Sequence, residues 1–164
     1  MTRLGRATAA VVVASALLLA PALPASSAER WTRAQAAEEY LEAVCPGTLT
    51  GVRLADLVRD PDSTQADLVQ AAREARDATW RGARKMLDGM DRWPTYTRST
   101  ASRVADALIM NNRAYYRLSL QSSRDSFIAF YRTNPFSESV APQRMRLLLH
   151  MKPYWVDNAG CTPN

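Results

Sequence analysis

Residues 63–90 read STQADLVQAAREARDATWRGARKMLDGM. Leu68, Ala72, Ala75, Thr79, Ala83, Met86 and Met90 recur at steps of three and four, the spacing that lines one face of an α-helix. A strand would need alternation with a period of two, and none of useful length occurs in this stretch or elsewhere in the chain. Val69, Trp80 and Leu87 form a second strip beside the first. The segment therefore predicts a helix from about Ser63 to Met90 whose buried sector is wide enough to touch two neighbours. Gly82 allows a close approach inside it, and Gly89 with Trp93-Pro94 ends it.

The flanking segments repeat the pattern. From Trp31 to Val44, Ala34, Ala37, Tyr40, Leu41 and Val44 are spaced as a helical face, with Glu38, Glu39 and Glu42 opposite. Thr32 and Gln35 fit a capping box, and Pro46-Gly47 is expected to end this helix. Thr50 to Arg59, carrying Leu54, Leu57 and Val58, reads as a short extra helix before Pro61. A third long helix starts near Thr97 or Ser99 and continues to Arg132. Val104, Leu108, Tyr115 and Leu118 are aligned along it, Ile109, Tyr116, Leu120 and Phe127 lie beside them, and Ser119, Ser122 and Ser123 mark a possible kink. The last helix spans Ala141 to Met151, with Pro142 in its first turn, Met145, Leu148 and Leu149 inward, and Pro153 as its stop. With short connections and no internal repeat, the expected fold is all-α, an antiparallel four-helix bundle with a short extra helix.

The chain has 164 residues, a net charge of +5 and two cysteines. Its opening is a leader: Arg3 and Arg6 precede an uncharged apolar run from Ala9 to Ala20, and small residues follow at 25–28. Ser26 and Ala28 occupy the positions that a signal peptidase reads, so residues 1–28 are expected to be a signal peptide and the mature chain to begin at Glu29. The run is too short for a membrane span, which needs about 20 apolar residues, so no transmembrane anchor is expected after cleavage. Residues 29–164 then form a single helical domain. Loss of Arg3 and Arg6 lowers the net charge to +3, a field too weak and dispersed for a nucleic-acid binder. Both cysteines survive cleavage into an oxidising compartment, where Cys45 and Cys161 are expected to pair as the one disulfide.

The sequence lacks a nucleophile elbow, a P-loop, a zinc-protease helix, a C-x-x-C pair and a glycine-rich dinucleotide turn. Its single histidine, His150, sits at a helix end, where an imidazolium or Lys152 would favour the last carbonyls. Glu38 and Glu42 share a helix face, but no E-x-x-H accompanies them, so neither a metal nor another cofactor is indicated. Arg73, Asp77, Arg81, Arg84 and Asp88 alternate in sign at one-turn spacing, which reads as a helix-supporting surface. Arg113, Arg117 and Arg124 instead project to nearly one side of the third helix, with Arg103 adjacent and only Asp106 to compensate. This stripe is the candidate anion-binding surface, since guanidinium forks suit phosphate and carboxylate. Asn111 and Asn112 interrupt the apolar sector as candidate buried polar residues, fixing register or facing a ligand beside Tyr115 and Tyr116. Trp31, Trp80, Trp93 and Trp155 read as core or lid, with Tyr154-Trp155 covering one end.

The stretch Glu39-Tyr40-Leu41-Glu42-Ala43-Val44-Cys45-Pro46, the ending Arg146 to Cys161 and the export signal together resemble small secreted helical proteins of high-GC Gram-positive bacteria. The resemblance implies a helical fold and an extracellular address, with no activity attached. The expected function is a secreted, non-catalytic bundle that binds an anionic cell-envelope polymer, a membrane surface or a protein through the arginines and adjacent tyrosines of the third helix. The alternative is an exported bundle enzyme that organises a small anionic metabolite by electrostatics, as helical chorismate mutases do.

Overall fold

A computed structural model of the chain describes residues 29–134, 136, 139–152 and 161. The expected leader at 1–28, the Pro153 stop and the Tyr154-Trp155 lid lie outside the described residues. Five helices occur in the order α1 (Arg33–Arg59), α2 (Gln65–Asp88), α3 (Arg98–Ser119), α4 (Arg124–Thr133) and α5 (Ala141–Leu148), with no strand among the described residues. None of these helices is long and apolar enough to cross a membrane.

α2 packs against both α1 and α3, α5 lies on α3, and α4 touches α2 and α3. The stripe of α2 explains this central place. Leu68, Ala72, Ala75, Thr79, Ala83 and Met86 are all buried, and their mostly small side chains let two helices come close. A Cβ on Gly82 would overlap the carbonyl oxygen of Ala43, so α1 and α2 meet there backbone to backbone. Of the second strip only Val69 reaches the core, packing against an apolar cluster; Trp80 is 48% exposed and Leu87 44% exposed. Tyr116 and Leu120, expected beside the core stripe of α3, are exposed as well.

Pro46-Gly47 does not end the first helix. α1 runs through both residues, absorbing the expected short helix at 50–59. Proline removes one hydrogen-bond donor and normally kinks or breaks a helix interior. Here tertiary packing opposes that cost, because Leu54 beyond the proline is fully buried and Gly47 lies against Thr79, whose Cγ2 would be 3.1 Å from an added Cβ. Hydroxyls reinforce the stretch: Thr48 donates to the Val44 carbonyl at 3.1 Å and Thr50 to the Pro46 carbonyl at 2.8 Å. The buried face is also rotated from the expected one, with Ala36 and Ala43 inward and Ala34 exposed.

The third predicted helix is two helices. Leu120 ends α3, and Ser123 caps α4 by accepting from the Ser126 N–H while the Ser126 hydroxyl accepts from the Ser123 N–H. Serine competes for backbone partners, and three of them in five residues favour a stop and restart over a kink. α5 ends earlier than expected, in a Schellman turn. The Met151 N–H returns to the Arg146 carbonyl and the His150 N–H to the Leu147 carbonyl, with His150 at φ 58°.

Two apolar clusters hold the helices. One gathers Trp31, Tyr40, Met86, Trp93, Val104 and Met145, with the Trp31 and Trp93 rings edge to face at 4.9 Å. The other gathers Leu54, Leu68, Tyr115, Leu118 and Phe127. Cys45 and Cys161 form a disulfide with Cα atoms 5.1 Å apart across 116 residues of sequence. Closing a loop of that length stabilises the fold by up to ~5 kcal/mol in the chain-entropy description.

Candidate functional site

Between the two clusters lies a cavity of about 600 Å³, walled by α1, α3 and α5 and bordered by Cys161. Its size follows from small residues. Gly47 and Gly51 sit one turn apart on α1 and both line it, as does Ala107 of α3. A Cβ on Gly51 would lie 2.9 Å from the Tyr115 hydroxyl, so the glycine makes room for that ring. Val44, Val52, Val104, Leu108, Phe136 and Val140 make most of the remaining wall apolar.

Polar side chains also border this space, each with at least one partner. Arg146 is 2% exposed. Its Nε donates to the Lys152 carbonyl at 2.7 Å, and its guanidinium carbon lies 6.0 Å from the centre of the Tyr40 ring. The Tyr40 hydroxyl in turn donates to the Pro142 carbonyl at 3.2 Å, tying α1 to the first turn of α5. Asn111, Tyr115, Ser139 and Gln143 also have partners. What the cavity presents to a guest is chiefly hydrocarbon.

The residues singled out from sequence are dispersed. Asn112 clamps α3 to α2 by donating Nδ2 to the Arg76 carbonyl at 2.7 Å, while Asn111 faces the cavity. Arg103, Arg113 and Arg117 are exposed on α3. Arg124 does not join them, because the break at Leu120 places it on α4. There Nε donates to the Ser63 carbonyl at 3.1 Å and Nη2 to the Asp60 carbonyl at 2.9 Å, bracing the α1–α2 turn. The four-arginine stripe is thus a run on α3 plus a structural brace. Glu29 is exposed at the start of the described residues, and Ala28 lies outside them.

Several of the remaining charges are paired. Glu39 and Glu42 pair with Lys85 of α2. The Glu42 hydrogen bond, followed by the attraction of Glu39, holds the Lys85 ammonium above its ordinary value against a desolvation effect of opposite sign. On α2, Asp77 pairs with neighbouring Arg76 rather than with Arg73 or Arg81 one turn away. His150 completes the end of α5 with its backbone, and its ring accepts at Nδ1 from Arg33 at 3.2 Å. The sequence reading assigned no role to Arg146. Its position among Met145, Leu148 and Leu149 on a helix meant to be buried was the available signal.

No family model, curated protein or solved structure matches the chain.

Proposed function

We propose that the protein is an exported, non-catalytic carrier that holds a small, mainly apolar molecule in the cavity between α1, α3 and α5. In this reading residues 1–28 are removed on export, and the helices pack as an antiparallel bundle with the cavity between its core layers. The observation that carries it is about 600 Å³ of space behind a chiefly apolar wall. That volume lies within the range of sites for small ligands, whose walls are predominantly apolar. Electrostatic catalysis on a small dianion would instead need several cations aimed at the guest. Among the described wall residues only Arg146 is a cation, and Tyr40 and the Lys152 carbonyl engage it.

Titration with the apolar fluorophore N-phenyl-1-naphthylamine tests the reading. Saturable one-site binding is expected, with at least tenfold loss in Val52→Trp, which fills the rim from a position exposed enough to spare the fold. Non-saturable binding, or a Val52→Trp variant that binds like the parent, would refute it. Organic extraction of protein purified from its own host, followed by mass spectrometry, would identify the guest.

A second reading concerns the outer face of α3. Arg113 and Arg117 are exposed and make no ion pair among the described residues, and we propose that they meet an anionic component of the cell envelope.

A further inference from the structure

From residue 110 to residue 120, the exposed side chains of α3 and its cap are Met110, Arg113, Tyr116, Arg117 and Leu120. At 100° per residue they fall within roughly a third of a turn, along about 15 Å of helix. Three are large and apolar, exposed by 58%, 49% and 62%, and two are cations one turn apart. No acid lies among them. Like charges at this spacing disfavour the helix that carries them, and exposed methionine and leucine gain nothing from water.

The pattern continues toward α5. A groove of about 430 Å³ is lined by Met110, Arg103, Asp106, Val140 and Arg144. Val140 is 79% exposed. Among the described residues lining this groove two guanidiniums accompany one carboxylate, so their net sign is positive.

We infer that this face of α3 docks on the surface of a bilayer containing anionic phospholipid. The inference rests on the envelope-binding reading of α3 and is independent of the cavity. Guanidiniums beside apolar side chains match a lipid interface, where phosphates meet the cations and the acyl boundary accepts methionine, leucine and valine. A hydrophilic polyanion would reward only the arginines. A second copy of the chain would bring the same positive surface into a symmetric contact, where like charges oppose association.

The test uses the disulfide-bonded protein, expressed with its own leader and purified, in flotation with vesicles. Binding is expected to vesicles of phosphatidylglycerol and phosphatidylcholine, and not to phosphatidylcholine alone. Arg113→Gln with Arg117→Gln should weaken it roughly thirty-fold, from about a factor of five for each cation near an anionic membrane. Met110→Ser with Leu120→Ser should also weaken it, while Val52→Trp leaves it unchanged. All four α3 positions are exposed, and circular dichroism verifies each fold. Equal binding to phosphatidylcholine alone, or no binding to either vesicle, overturns the inference. Soluble polyphosphate separates it from the broader reading. If the arginine pair abolishes polyphosphate binding while the serine pair leaves vesicle binding intact, lipid docking fails and envelope binding stands. If the arginine pair changes neither, both fail.

Discussion

The carbonyl oxygen of Ala43 occupies the place where a β-carbon of residue 82 would stand. α1 and α2 therefore touch through main chain, and the distance between them is set by a missing side chain. Gly82→Ala removes about 1 kcal/mol of helix penalty but forces the two backbones apart. The expected net result is destabilisation by about 2 kcal/mol, read as a lower urea midpoint at constant slope. A midpoint equal to or above that of the parent would show that the contact is not tight.

Arg146 is buried on the core side of α5, braced by Tyr40 and the Lys152 carbonyl. Arg146→Met keeps the volume and leaves that carbonyl without its charged donor, at a cost of about 2–3 kcal/mol. Arg146→Lys should recover only part of the loss, because an ammonium lacks the planar fork that lies along a ring. Equal stability of the methionine and parent proteins in chemical denaturation would contradict this.

Thr64 and Asp67 form the capping box of α2. The Thr64 hydroxyl, and then its backbone N–H, hold the Asp67 carboxyl below its ordinary value. A carboxylate lowered on folding supports the fold above its unfolded value near 3.9, and that support fades as pH falls through the lower folded value. NMR titration of Asp67 should therefore give a midpoint below the usual aspartate range, and Thr64→Ala should bring it back up. An ordinary midpoint in the parent would dissolve the box.

His150 holds φ 58° to close the turn after α5. Glycine takes this conformation without a Cβ penalty, so His150→Gly should raise stability by up to about 1 kcal/mol even though the ring contact with Arg33 is lost. A drop in melting temperature would mean that the Arg33 contact outweighs the backbone relief.

The helices were legible where local spacing and burial agree. Leu68 to Met86 announces α2, and Thr32 with Gln35 announces the start of α1. The misreadings have particular causes. Pro46 is a breaker by local rules, and its cost is opposed by the burial of Leu54 beyond it and the packing of Gly47 against Thr79 of α2. Trp80 and Leu87 carry the right spacing, yet they are exposed, since a periodic strip does not say whether a neighbour arrives. Arg124 extends the arginine run only if the serines near 120 bend a single helix, and instead they end one helix and start another. The cavity was invisible. It depends on Gly47, Gly51 and Ala107 meeting across helices, and on Arg146 finding Tyr40 far upstream.

The bond between Cys45 and Cys161 encloses most of the described helices in one covalent ring. A protease that severs any single peptide link between those two positions opens the ring without releasing a fragment. Two cuts are needed before a piece can drift away, which suits the exported carrier proposed above.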